Sequence, residues 1–225
     1  MKNIIIFCLS TILLVYANDI PNFEFGNNVK YIISDTHYPP PPPHDEIARM
    51  ARYVVHYSDW CVLSQISRQP NTTGMPLGRV FSVSDGPINN GTGVPYIYCS
   101  FFDPVVKDLM IDNRCSITVT LAEKYCNEKQ LDPEDPRCAQ VVLTGRFIFI
   151  QNNTKEWEFA KKALFTRHPS MKQWPQDHHF RFGQLAINHI KVVDYFGGSK
   201  YPSVKDYFNA KPFQRAIHTV TVVTD

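Results

Sequence analysis

The hydrophobic pattern changes period several times along the 225 residues. A short basic start, Met1-Lys2-Asn3, leads into a nearly continuous apolar run over 4–15. Residues 18–38 show no clear period. Five prolines at 39–43 then form a stiff spacer without backbone donors. Helical spacing follows, because Ile47, Met50, Ala51, Val54 and Val55 fall on one face, and a helix is predicted over 46–57. Asp45 is placed as its N-cap, and Glu46 favours its dipole.

From Cys61 the period shortens to two. Strands are predicted at 61–67, 79–84, 94–99, 115–121, 140–150, 180–187 and 190–196. In these segments β-branched and aromatic residues alternate between Gly, Pro and Asn punctuation. Helices interrupt them at 104–112 and at 155–168, the second opening near Thr154. Ser203 and Asp206 make a capping-box variant that predicts a short helix through Phe208. Beyond Pro212 the pattern weakens, with HTVTVV as a candidate extra strand. Many strands, few helices and no βαβ alternation predict a mainly β fold with peripheral helices, built as a barrel. The chain divides into a leader at 1–17, an N-terminal segment with the proline run at 18–44, a barrel domain at 45–210 and a tail at 211–225.

Composition narrows the function classes. Hydrophobic residues make up 44% and charged residues 20%, which is globular composition. A net charge of +2 without a basic cluster argues against nucleic acid as a partner. The N-terminal apolar run is too short to span a bilayer and no second one follows, so it reads as a secretory signal cleaved after Ala17. No membrane span is expected, and the destination is extracellular. That compartment gives meaning to three N-x-T triplets, at Asn71, Asn90 and Asn152, as glycan acceptors on surface loops. The proline run reads as a rigid lead-in, with an SH3-type ligand as the alternative.

Cysteine usage follows from the same compartment. Cys8 leaves with the leader. Cys126 and Cys138 flank a polar segment with two prolines, read as an exposed loop between strands. A disulfide closing it would restrict the unfolded chain by roughly 3 kcal/mol. Cys61, Cys99 and Cys115 lie in apolar runs and read as buried thiols. The pattern leaves open whether Cys99 faces Cys115 across neighbouring strands, and an unpaired cysteine leaves room for an intermolecular bridge.

No catalytic or metal-binding residue is assigned. His168, His178 and His179 gather near Trp174 in sequence, but no Cys or carboxylate completes a ligand set, and the adjacent pair is expected on opposite faces of a strand. Cys61 and His56 suggest a nucleophile pair, yet a thiol at the start of an apolar strand is inert. Asp85-Gly86 and Asp194 read as turn and strand-end residues. Tyr96, Tyr98, Phe101 and Phe102 read as core or dimer interface.

The order of motifs resembles the CREG family of secreted glycoproteins, the cellular repressors of genes stimulated by an adenoviral early protein. The resemblance is carried by Ala51-Arg-Tyr-Val-Val-His-Tyr-Ser-Asp-Trp60, Ser84-Asp-Gly-Pro87 and Gly93-Val-Pro-Tyr96. The segment from Cys126 to Cys138, Arg167-His-Pro-Ser-Met-Lys-Gln-Trp-Pro175 and Asp194-Tyr-Phe-Gly-Gly198 continue it. It implies a split β-barrel like that of the FMN-binding pyridoxamine-phosphate-oxidase-like proteins, and a homodimer. It also implies a secreted or endolysosomal glycoprotein acting through protein partners in growth control and differentiation. Its glycans would be read by a sorting receptor such as the mannose 6-phosphate receptor.

Flavin-binding and haem-handling relatives look like G-x-P-x-x-x-x-S followed by His, Thr and Asn, which satisfy a cofactor phosphate. Aligned from Gly93, Pro95 and Ser100, those positions fall on Val105, Val106 and Asp108. Two are aliphatic and the third is negative, leaving Arg79, Lys107 and Arg114 as the cations. The expectation is a degenerate FMN pocket, no cofactor and no enzymatic activity. The alternative is an FMN- or haem-dependent oxidoreductase.

Overall fold

The computed structural model describes residues 39–212 apart from Asn89, and outside them only short backbone strands. The chain forms two compact units, one of Pro40–Phe213 and one of Met1–Pro39 with Gln214–Asp225. In the second unit, Asn3–Cys8 pairs antiparallel with Thr11–Tyr16, and Val29–Tyr31 pairs with both Glu24–Phe25 and Val222–Thr224. The tail thus supplies a strand at 222–224. The expected cleavage after Ala17 and the rest of the tail lie outside the described residues.

The larger unit runs α1 (Ile47–Tyr57), β1 (Trp60–Ile66), β2 (Pro76–Ser82), β3 (Tyr96–Ser100), α2 (Pro104–Ile111) and β4 (Arg114–Thr120). It continues with α3 (Tyr125–Glu128), β5 (Gln140–Phe149), α4 (Lys155–Arg167), β6 (Phe180–Val193), β7 (Ser199–Lys200) and α5 (Val204–Asn209). The strands make one antiparallel sheet in the order β7-β6-β5-β4-β1-β2, and β3 pairs with the start of β6. Cys61, Leu63 and Gln65 of β1 and Cys115, Ile117 and Val119 of β4 point inward, while their neighbours are partly or fully exposed. This alternation turns one face of the curled sheet into the core of a split barrel.

The two strands expected at 180–187 and 190–196 are one 14-residue strand. Its register against β5 shifts between Ile187 and His189. An extra residue there bends the strand, so one strand can serve both β3 and β5 as the sheet curls.

Helix starts show what local signals decide. Thr154 caps α4, its Oγ1 accepting from Trp157 N at 3.2 Å, and Ser203 caps α5 by accepting from Asp206 N at 3.0 Å. Asp45, by contrast, is not the N-cap of α1. Glu46 holds that position without a side-chain cap, because Glu46 N bonds to Pro43 O and Ile47 N to Asp45 O in a tight entry turn. Beneath α4, Ala160, Ala163 and Leu164 pack on Tyr96, Ile150, Met171 and Phe182 in a second core.

Cys126 and Cys138 form a disulfide. The intervening segment is not simply an exposed loop, because Cys126 sits on α3 and both cysteines are buried. Cys99 does not face Cys115. β3 pairs with β6, whereas β4 lies between β1 and β5, and Cys61, Cys99 and Cys115 are buried free thiols. Among the described residues no helix is long and apolar enough to cross a membrane.

Candidate functional site

The motif residues converge on the loop that precedes β3. His56, on the buried face of α1, places Nδ1 2.6 Å from Asp85 Oδ1 and Nε2 2.7 Å from Ile88 O. A carbonyl only accepts, so Nε2 carries a proton and donates. Asp85 Oδ2 accepts from Gly93 N at 2.9 Å, and Asp85 O accepts from Thr92 Oγ1 at 3.0 Å. Thr92 and Gly93 are therefore tied back to the buried Asp85.

Arg52 closes the loop from the other side. Its Nη2 donates to Gly91 O at 2.9 Å, and its guanidinium lies 5.4 Å from the centre of the Tyr207 ring. Tyr207, on α5, donates its hydroxyl to Gly93 O at 2.7 Å. Gly93 has φ +84°, and a Cβ there would stand 2.6 Å from Arg52 Nε. Only glycine admits both the backbone angle and the guanidinium.

A second network lies at the end of α1. Asp59 binds Arg167 at 2.6 Å and also pairs with Lys124. Burial pushes its carboxyl up, but the bonds to Lys124 and Arg167 outweigh that and hold it below the ordinary value. Arg167 also donates to His56 O at 2.8 Å, and His168 Nε2 lies 3.0 Å from Val83 O. These residues clamp α4, α1 and the loop together. Although a His–Asp pair suits a general base, both imidazole nitrogens of His56 are engaged, so neither takes a proton from a substrate.

The turn aligned with the flavin-phosphate site reads differently. Val105 and Val106 are buried core side chains in the first turn of α2. Asp103 caps that helix, accepting from Val105 N at 3.0 Å. Asp108 is buried and accepts from Gln69 Nε2 at 3.1 Å. Arg79 is paired with Asp103, and Arg114 grips Asp112 through bonds of 2.9 and 2.6 Å. The Arg114 fork holds the Asp112 carboxyl well below the usual range. Lys107 is exposed. A phosphate dianion needs several charge-assisted donors, and this turn offers carboxylates and aliphatic groups instead, so the residues present do not fit FMN phosphate.

The other predicted positions are readily placed. Asn71, Asn90 and Asn152 are exposed and lie in turns or loops. Cys61 is buried, which pushes its thiol far above the ordinary value; burial likewise pushes Cys99 and Cys115 up to about 12. His178 and His179 do not sit on opposite faces of a strand. His178 ends a 3-10 turn, His179 is left-handed at φ +50°, and both rings approach Phe102. Asp85 and Asp194 are not plain turn residues but buried carboxyls, the second bound to His44 at 2.7 Å. Spacing carries no signal for either pair, since the partners are 29 and 150 residues apart.

The sequence matches the family described as CREG, beta-barrel, over residues 42–209. It is 42% identical over 174 residues to protein CREG1 of Gallus gallus, covering 76% of this chain and 90% of that protein. Identity to protein CREG1 of Homo sapiens is 41% over 172 residues, covering 76% and 77% of the two chains. Among solved structures, the heme binding protein from Mycobacterium smegmatis shares the fold with a TM-score of 0.60 at 17% identity, covering 77% of this chain and 63% of that one. A Clostridium acetobutylicum protein of the pyridoxinephosphate oxidase family gives 0.50 at 10% identity, covering 74% and 99%. The structural likenesses establish the split-barrel fold alone; the family match and the CREG1 relatives place this chain in the CREG family.

Proposed function

We propose that this protein is a secreted, endolysosomally sorted glycoprotein without catalytic activity, a homodimer acting through protein partners in control of growth and differentiation. The observation that carries the non-enzymatic reading is the turn at α2, where Val105, Val106 and Asp108 stand where a phosphate would need donors. Kinship with CREG1 proteins supports the remainder. The glycan reading is supported by the exposure of Asn71, Asn90 and Asn152. The homodimer reading is supported by the outer face of the sheet. There Val62, Ser64, Ser116 and Thr118 are half-buried, Val80 is exposed, and none is charged.

The test is the visible spectrum of the secreted protein, followed by titration with FMN. A colourless protein that shows no saturable FMN binding is expected. A stoichiometric flavin band or sub-micromolar binding would overturn the reading. The second reading, a flavin- or haem-dependent oxidoreductase, is favoured by the fold shared with the Mycobacterium smegmatis heme binding protein. Haemin added to the same sample, with a Soret shift as the readout, tests it. Enzymatic deglycosylation of wild type and of Asn71→Gln, Asn90→Gln and Asn152→Gln tests each sugar site by mobility.

A further inference from the structure

The last turn of α2 leaves two large apolar side chains in water, Met110 at 60% exposure and Ile111 at 71%. They border an open cavity of about 540 Å³, which Phe147 and Phe149 at the end of β5 also line. Phe101 meets Phe149 edge-on, with ring centres 5.3 Å apart. The cavity sets these aromatic and aliphatic side chains beside Asp112, Asn113 and Arg146, so a small molecule there meets both apolar and polar groups.

Around the polar side of the cavity guanidinium groups outnumber carboxylates. Arg114 and Arg146 stand directly opposite each other on β4 and β5, an unfavourable like-charge pair. Asp112 is shared by Arg114 and by Arg68, the latter at 3.4 Å. Arg146 donates to Asn113 Oδ1 at 2.9 Å, a neutral acceptor, and forms no ion pair among the described residues. The C-terminal end of α2 adds only about half a negative charge. Arg68 and Arg114 thus both draw on Asp112, and Arg146, which lines the cavity, is left without a carboxylate of its own among the described residues. The cavity lies at the opposite end of α2 from Val105 and Val106, so it is separate from the flavin-phosphate turn.

We propose that this cavity binds a small amphipathic anion. A carboxylate, sulfonate or phosphate head pairs with Arg146, and an apolar or aromatic body lies against Met110, Ile111 and Phe149. A planar guanidinium matches such a head through two parallel bonds, and the apolar wall supplies the rest of the affinity.

The test uses the full secreted protein with two probes, anilinonaphthalene sulfonate and the uncharged N-phenylnaphthylamine, read by fluorescence. Saturable binding of the sulfonate at one site per chain is expected. Arg146→Met weakens it by about tenfold or more, the loss of a charge-assisted pair, and leaves the neutral probe unchanged. Arg146→Lys keeps most of the affinity. Ile111→Asp, at a position 71% exposed, abolishes sulfonate binding and provides the answer if Arg146→Met fails to fold. Equal sulfonate binding by wild type and Ile111→Asp, or binding that never saturates, overturns the proposal. So does a site that opens only when the protein is monomeric, which would make the cavity part of a contact between copies. FMN binding is read separately, so either conclusion can fail without the other.

Discussion

His56 Nδ1 lies 2.6 Å from Asp85 Oδ1 with neither side chain exposed, so two groups that water ordinarily solvates meet inside the barrel. Removing one member leaves the other buried without its partner, a loss of about 3–5 kcal/mol. Asp85→Ala, which removes both carboxylate oxygens, is therefore expected to lower the melting temperature by about 10 °C for a domain of this size. Thermal unfolding followed by circular dichroism checks it. A shift under about 2 °C would show that the loop does not depend on this pair.

Two glycines separate steric need from backbone freedom. Gly74 has φ +83° with open space where a methyl would stand, whereas a Cβ on Gly86 would lie 2.1 Å from Asn90 O. Gly74→Ala should cost about 1–2 kcal/mol, from left-handed strain alone. Gly86→Ala should cost more than about 3 kcal/mol, because backbone must move. Denaturant midpoints of the two variants provide the comparison, and equal midpoints would contradict it.

Asp194 makes stability depend on pH. Burial raises its carboxyl above the ordinary value, and the bond to His44 offsets this only in part. The folded protein therefore holds this proton to higher pH than the unfolded chain does. The stabilisation is complete below the unfolded value, about 4, and is lost as pH rises through the folded one. Its direction favours the folded state in acid. Asp194→Asn should flatten that part of a melting-temperature profile, and an unchanged slope would assign it to other groups.

The disulfide closes a short segment, with Cys126 and Cys138 separated by 12 in sequence. Replacing both with alanine frees the unfolded chain and should cost roughly 3 kcal/mol by loop entropy. Guanidinium unfolding measures the loss, and peptide mapping without reduction should recover the linked pair.

Val80 tests the proposed dimer face. It is 58% exposed on the outer side of β2, so Val80→Lys should leave the fold intact while placing a charge in the proposed contact. Sedimentation is expected to shift from dimer toward monomer. A variant that remains fully dimeric would move the interface elsewhere on the barrel.

The sheet was largely legible because its strands are rich in β-branched residues at period two, as in the inward Cys115, Ile117 and Val119 of β4. Caps at Thr154 and Ser203 were legible for a similar reason, since donor and acceptor lie within one turn. Nothing local marks the bend between Ile187 and His189, which arises from serving two neighbouring strands at once. The same limit hid the interior pairs. Asp85 looks like any turn aspartate until α1 brings His56 to it, and Asp194 looks like a strand end until His44 arrives from across the chain.

The bond from Tyr207 to Gly93 has a consequence for the order of synthesis. Its partners are 114 residues apart, and α5 is the last helix of the barrel unit to be made. At about 5–20 residues per second, the ribosome needs roughly 6–23 s to deliver Tyr207 after Gly93. Through that interval the loop around Asp85 lacks its final latch and, on the proposed glycan reading, Asn90 meets the sugar-attaching enzymes on an unlatched chain. Late arrival of one tyrosine would then set how long that window stays open.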